Sequence, residues 1–110
     1  MSEQEAQKVM MEMQQNQQQM QQVMQQKEDT ESEIEESKRA LGELEESEDG
    51  EVYRQVGNIL VARDRDQLEE ELDEKVEDLE ARLKTLEKKE EQLRDKLEES
   101  QKKIQGSLGQ

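Results

Sequence analysis

The first half of the chain carries a mostly apolar series of residues, spaced alternately by three and four positions. The series runs from Ala6 to Leu44, and eight of its twelve members are apolar. The members are Ala6, Val9, Met13, Asn16, Met20, Val23, Lys27, Thr30, Ile34, Ser37, Leu41 and Leu44. An average spacing of 3.5 residues is typical of the contact seam of a left-handed coiled coil. We therefore predict a helix over residues 1–47, capped by Ser2 with Glu5 three positions later.

The second half carries a series that is richer in leucine. Its members are Leu68, Leu72, Val76, Leu79, Leu83, Leu86, Glu90, Leu93, Leu97, Ser100 and Ile104. Two successive steps of four at its start indicate a local irregularity, after which the repeat is strict. Asp66 with Glu69 forms a second capping pair. The pattern predicts a helix over residues 66–106, followed by a tail at 107–110.

The two predicted helices are similar in length and are separated by a connector, residues 48–65. The chain contains no proline, and we expect Gly50, preceded by Glu48 and Asp49, to end the first helix. A connector of this size allows the chain to double back. The sequence thus predicts a mainly α fold, a long antiparallel coiled coil within one chain, with both termini at one end and the connector at the other.

The connector reads as a β-hairpin. Residues 51–56 and 59–63 are rich in β-branched residues and are separated by Gly57-Asn58. Glycine at the first central position suits a type II′ turn, because that position requires a positive φ. We predict two short antiparallel strands around this turn.

Apolar residues occupy both faces of the predicted second strand, since Ile59 and Val61 point one way and Leu60 and Ala62 the other. An isolated two-stranded hairpin is marginally stable in water, and an open apolar edge promotes association. One interpretation is that hairpins of several subunits join into a shared β-barrel. The alternative is a hairpin folded back onto its own helix ends. The residues predicted for assembly are Val52, Tyr53, Val56, Gly57, Asn58, Ile59, Leu60 and Val61.

Composition narrows the function. Of the 110 residues, 28% are hydrophobic and 43% are charged, which is too polar for an ordinary single-core domain. The chain lacks cysteine and histidine, so we expect no enzymatic activity, no metal site and no cofactor. Runs such as Glu69-Glu70-Glu71 do not have the spacing of a calcium loop, and a solvated helix face is the better interpretation.

The net charge of −15 argues against nucleic acid and anionic membranes as partners, because both are bound through Lys and Arg. The acidity is also compatible with a high-salt cytoplasm. Neither a signal-like leader nor a run of about 20 apolar residues is evident, so we expect a cytoplasmic protein.

The first 26 residues contain eleven glutamines and several methionines. A disordered glutamine-rich arm is one interpretation. A helix is favoured, because the seam continues through the segment and both residue types are good helix formers.

The chain resembles the β class of the prefoldin family. In both, a helix is followed by a single hairpin, here with the sequence "EVYRQVGNILV", and then by a leucine-rich helix. Val52-Tyr53, Gly57-Asn58 and the run 59–61 are the most specific part of the resemblance. It implies a hexamer of two α-class and four β-class subunits, whose hairpins form a β-barrel platform. It further implies that coiled-coil tips capture unfolded polypeptides without ATP and deliver them to a group II chaperonin. The competing interpretation is a structural coiled-coil tether or adaptor that binds no client.

Antiparallel pairing would bring the first turns of one helix near the last turns of the other. Methionine side chains adapt to many sequences, which suits client contact. The residues predicted for the tip are Val9, Met10, Met11, Met13, Leu97, Ile104 and Leu108. For Met13, as for Met20, loose packing in the seam is the favoured alternative, whereas Met10 and Met11 cannot both point inward.

Overall fold

The computed structural model describes residues 1–47 and 50–108, without the side chain of Leu108. Helix α1 spans Glu3–Glu46, strand β1 Val52–Val56, strand β2 Ile59–Arg63 and helix α2 Arg65–Leu108. The predicted architecture of two long helices joined by one antiparallel hairpin is confirmed. Of the predicted stop signal, Glu48 and Asp49 lie outside the described residues, and Gly50 follows the end of α1 at Glu46. Residues 107 and 108 of the predicted tail belong to α2, and residues 109–110 lie outside the described residues.

The burial pattern reproduces the predicted seam. Within Glu3–Glu46, the twelve positions of the first series are the ones shielded from solvent, and every other side chain is exposed. All eleven positions of the second series are likewise shielded in α2, together with Arg65 and Glu69. These two extra positions lie on either side of Leu68, the first member of the series. Each helix therefore buries a narrow stripe, which explains how so polar a chain can fold.

The first helix begins as predicted, and the second does not. The Glu5 amide donates a 3.2 Å hydrogen bond to Ser2 Oγ, which forms the expected N-cap. At α2 the cap is Asp64, since the Gln67 amide donates to Asp64 Oδ2 at 3.2 Å. The prediction of Asp66 as the cap is wrong, because the helix already begins at Arg65 and Asp66 lies inside its first turn.

The chain divides into two units, which we call the terminal unit and the hairpin unit. The terminal unit combines residues 1–29 with residues 83–110. Its core is a cluster of Val23, Leu86 and Leu93, against which Met20 packs. Val23 is 2% exposed and is the most buried apolar residue described.

The hairpin unit is the continuous segment 30–82. It contains the end of α1, both strands and the start of α2. Lys38 pairs with Glu80 at 3.2 Å, and the Arg65 guanidinium donates hydrogen bonds to the carbonyls of Leu44 and Ser47. Because later residues of α1 meet earlier residues of α2, the two helices run antiparallel in this unit.

Neither helix, within the part of the chain that the structure describes, has a stretch long and apolar enough to cross a membrane.

Candidate functional site

The hairpin is a regular two-stranded antiparallel sheet. Val52 lies opposite Arg63, Arg54 opposite Val61, and Val56 opposite Ile59. Gly57 has a φ of 60°, and no other described residue has a positive φ. This geometry confirms the predicted type II′ turn, which needs a positive φ at its first central position only.

Both faces of the sheet present apolar side chains to solvent. Val56, Ile59 and Val61 lie on one face, and Ile59 is 66% exposed. Tyr53 and Leu60 lie on the other, and Leu60 is 67% exposed. Among the described residues no third strand pairs with either edge. The hairpin therefore exposes apolar side chains on both faces, and the outer edges of its two strands pair with no further strand of the described chain.

An ion-pair network ties the hairpin to α2. Arg63 of β2 contacts the Glu71 carboxylate at 2.5 Å, and Arg54 of β1 approaches the same carboxylate at 3.9 Å. The two arginines lie on one face of the hairpin, so Glu71 holds both strands at once. Glu71, one residue of the acidic run 69–71, thus links both strands of the hairpin to α2. Within the described ranges, no group of three or more acidic side chains is arranged to hold a metal ion.

Local hydrogen bonds order the hairpin further. The Tyr53 hydroxyl donates to the carboxylate of Glu51, and this bond raises the pKa of the phenol above its usual value. The phenol thus remains a neutral donor over a wide range of pH. The Gln55 side-chain amide donates to the Gly57 carbonyl at 3.3 Å, next to the turn.

The residues predicted for client contact divide into two groups in the terminal unit. Val9, Met13, Leu97 and Ile104 are half-buried members of the seam. Met10 and Met11 are 56% and 63% exposed, as expected for residues that cannot both point inward. The Leu108 backbone is helical, and its side chain lies outside the described part of the chain.

A shallow groove brings the start of α1 and the end of α2 together. It is lined by Met1, Glu5, Lys8, Val9, Glu12 and Lys103. The first turns of α1 thus lie beside Lys103, which is five residues before the end of α2. Of the predicted client residues, only Val9 lines this groove, whereas Met10 and Met11 lie on other faces of α1.

Charged residues occupy one layer of the terminal unit's seam. Lys27 Nζ lies 3.1 Å from Glu90 Oε2, and Arg94 donates to Glu90 Oε1 at 2.8 Å. Lys27 and Glu90 are both seam positions, and a polar pair in a seam fixes helix register at some cost in stability. The two charged members of the seam are therefore each other's partners.

Several residues of the two surfaces carry only weak signals in the sequence. Met24 is 55% exposed, and its position two heptads after Met10 was the available signal. Asp64 could have been found as a cap through Gln67 three positions later. No signal in the sequence linked Glu71 to Arg54 and Arg63, because that contact depends on how the hairpin leaves the helix.

The geometry defines a class of protein, a helix–hairpin–helix coiled-coil subunit with a projecting two-stranded sheet. Residues 7–110 match the family model described as "Prefoldin subunit". The chain is also similar to the crystal structure of the prefoldin beta subunit from Thermococcus strain KS-1. The two are 40% identical over 94% of this chain and 92% of that chain, with a TM-score of 0.84. Comparison with curated proteins gave no match.

This chain belongs to the prefoldin subunit family. Family membership makes it a chaperone subunit of the coiled-coil type. It also agrees with the resemblance found in the hairpin sequence.

Proposed function

We propose that this chain is a β-class subunit of a hetero-hexameric, ATP-independent co-chaperone of the cytoplasm. Four copies assemble with two α-class subunits, and the hairpins of all six form a shared β-barrel. The terminal units capture unfolded polypeptides and deliver them to a group II chaperonin. Neither a cofactor nor a catalytic step is part of the proposal.

The observation that carries the proposal is the open apolar hairpin. Ile59 and Leu60 are each about two-thirds exposed, on opposite faces of one strand. Burying one such side chain contributes about 1.5–3 kcal/mol. A surface of this kind is stable in water only when something covers it, and strands of neighbouring subunits can cover faces and edges together.

The terminal unit supports the client-binding part. Met10 and Met11 are exposed in a helical segment that is rich in glutamine and poor in charge. Each contact with an unfolded chain is weak, but several subunits that act on one chain raise the affinity through effective concentration. Weak individual contacts also permit transfer to another chaperone without nucleotide hydrolysis.

The test is to mix the chain with an α-class prefoldin subunit and to measure two properties. Native mass spectrometry is expected to give a mass of four copies plus two α-class subunits. The same sample is expected to suppress aggregation of a chemically denatured client protein in the absence of ATP. A small homo-oligomer that gives no protection would contradict the proposal and favour a structural tether.

A further inference from the structure

The exposed methionines of α1 belong to a second series with coiled-coil spacing. Met10, Met13, Gln17, Met20 and Met24 follow one another at steps of three, four, three and four. We call this series the methionine row. It spans the 15 residues from Met10 to Met24, whose Cα atoms are separated by roughly 21 Å along the helix axis. The corresponding positions seven residues before Met10 and after Met24 are Glu3 and Glu31, so acidic residues bound the row at both ends.

The row is continuous with the seam that already pairs the two helices. Met13 and Met20 are half-buried seam members, and Met20 packs against the Val23, Leu86 and Leu93 cluster. Met10 and Met24 directly follow the seam residues Val9 and Val23, and both are more than half exposed. One edge of the seam is thus extended by a parallel line of flexible apolar side chains.

Between Met10 and Met24, α1 carries one charged residue, Glu12. The fourteen residues from Met13 to Gln26 contain no Asp, Glu, Lys or Arg, although 43% of the whole chain is charged. A helix packed alongside the row would therefore meet glutamine amides at its margin and would leave few charges desolvated. The exposed methionines, in turn, can adapt to side chains of different shapes.

We infer that the methionine row is a docking seam for an amphipathic helix. This inference rests on the proposed function. It identifies the clients of the methionine row as segments of non-native proteins that form helices with an apolar stripe. The spacing supports this inference, since steps of three and four present one line of side chains to a helical partner. An extended segment has a period of two residues and cannot match that line along its length.

The test uses the full-length chain in its assembled complex and two fluorescent 21-residue peptides of identical composition. In one peptide, leucines are placed at steps of three and four. In the other, the same residues are permuted so that no helical face is apolar. Fluorescence anisotropy is expected to show at least about tenfold tighter binding of the first peptide, and circular dichroism is expected to show that it gains helix on binding.

The matched variants are Met10→Gln with Met24→Gln, and Met11→Gln alone. Glutamine keeps helix propensity, and all three side chains are exposed, so the fold is expected to persist in each variant. Met11 is as exposed as the others but lies off the row. The double variant is expected to lose about tenfold in affinity for the helical peptide, and Met11→Gln less than about twofold.

Equal binding of the two peptides would overturn the inference, and so would equal losses in the double variant and in Met11→Gln. A fall in native mass of the double-variant complex would also overturn it, because the row would then contact a second copy of the chain. The proposed function is judged separately, by whether the unmutated complex suppresses client aggregation.

Discussion

The two units share one seam pattern but differ in almost everything outside it. Residues 30–82 contain 20 acidic and seven basic residues, a net charge of −13, whereas residues 1–29 and 83–110 contain 11 acidic and nine basic residues, a net charge of −2. The hairpin unit exposes its large apolar side chains on a sheet, and the terminal unit exposes them on a helix. We infer from this difference that the seam provides the scaffold and that the outer surfaces of the two units make different contacts.

The seam contains polar residues in both units. Ser37 in the hairpin unit and Ser100 in the terminal unit are buried, and among the described residues no buried side-chain oxygen or nitrogen lacks a hydrogen-bond partner. The terminal unit adds the Lys27–Glu90 pair. A seam built in this way holds two helices together without a large core, which leaves most of each helix available for other contacts.

The largest expected effect comes from charging the hairpin. Replacing Ile59→Lys and Val61→Lys places two cations on one sheet face that the proposal buries between subunits. Assembly should be lost, while most of the helicity in circular dichroism is retained. The control is Ser32→Lys, which adds a cation at an exposed helical position of the hairpin unit, away from the sheet.

Gel filtration distinguishes the outcomes of the hairpin experiment. A hexamer that persists in the Ile59→Lys and Val61→Lys variant would mean that β2 is not part of the proposed intersubunit barrel. The hairpin unit would then not have the role in assembly that we propose for it.

Truncating seam leucines compares the scaffold of the two units. Leu93→Ala in the terminal unit should lower the free energy of unfolding by about 2–5 kcal/mol, because Leu93 is 4% exposed and belongs to the apolar cluster. Leu79→Ala in the hairpin unit should cost no more, because Leu79 is 9% exposed and lies outside that cluster. Urea denaturation measures both. A much larger cost at Leu79 would show that the hairpin unit, rather than the terminal unit, dominates the pairing.

Ionic strength should act mainly through the hairpin unit. Assembly brings several units of net charge −13 together, and their repulsion is screened as the Debye length falls from about 14 Å at 0.05 M salt to about 4 Å at 0.5 M. The midpoint concentration of assembly should therefore fall several-fold as salt rises. Sedimentation velocity measures this shift, and an assembly midpoint independent of salt would show that the acidic surfaces lie far apart in the complex.

The smallest effect concerns the junction at the start of α2. Asp64→Ala removes the N-cap and should cost about 1 kcal/mol of stability. Asp66→Ala is the matched control, because it changes the same residue type two positions later at a site that does not cap the helix, and its effect should be within about 0.5 kcal/mol. Thermal unfolding of the two variants is enough to separate them. Equal costs would contradict the assignment of the cap.

The sequence predicted the seam well because a coiled coil is determined by local periodicity. Every residue of both series is shielded, down to polar members such as Asn16 and Thr30. The hairpin was predictable for a similar reason, since Gly57-Asn58 between β-branched runs is a local turn signal. Period and turn chemistry both act over a few residues, so no knowledge of the tertiary fold was needed.

Tertiary contacts were not predictable in the same way. Glu71 binds Arg54 and Arg63 across 17 and eight positions of chain, and Arg65 reaches carbonyls 18 and 21 positions earlier. Such contacts depend on the angle between hairpin and helices, which periodicity does not encode. The cap was misplaced by two residues because Asp64 and Asp66 both have a Gln or Glu three positions later, and only the observed hydrogen bond distinguishes them.

The division of tasks between the units is tested most directly by removing the outer part of one of them. Deleting residues 1–12 and the last ten leaves the hairpin unit and the Val23, Leu86 and Leu93 cluster intact. We measure how well the truncated subunit, assembled with the proposed α-class partners, suppresses aggregation of a denatured client. Our account predicts a hexamer of normal stoichiometry with markedly weaker protection. Undiminished protection by the assembled truncated complex would contradict it.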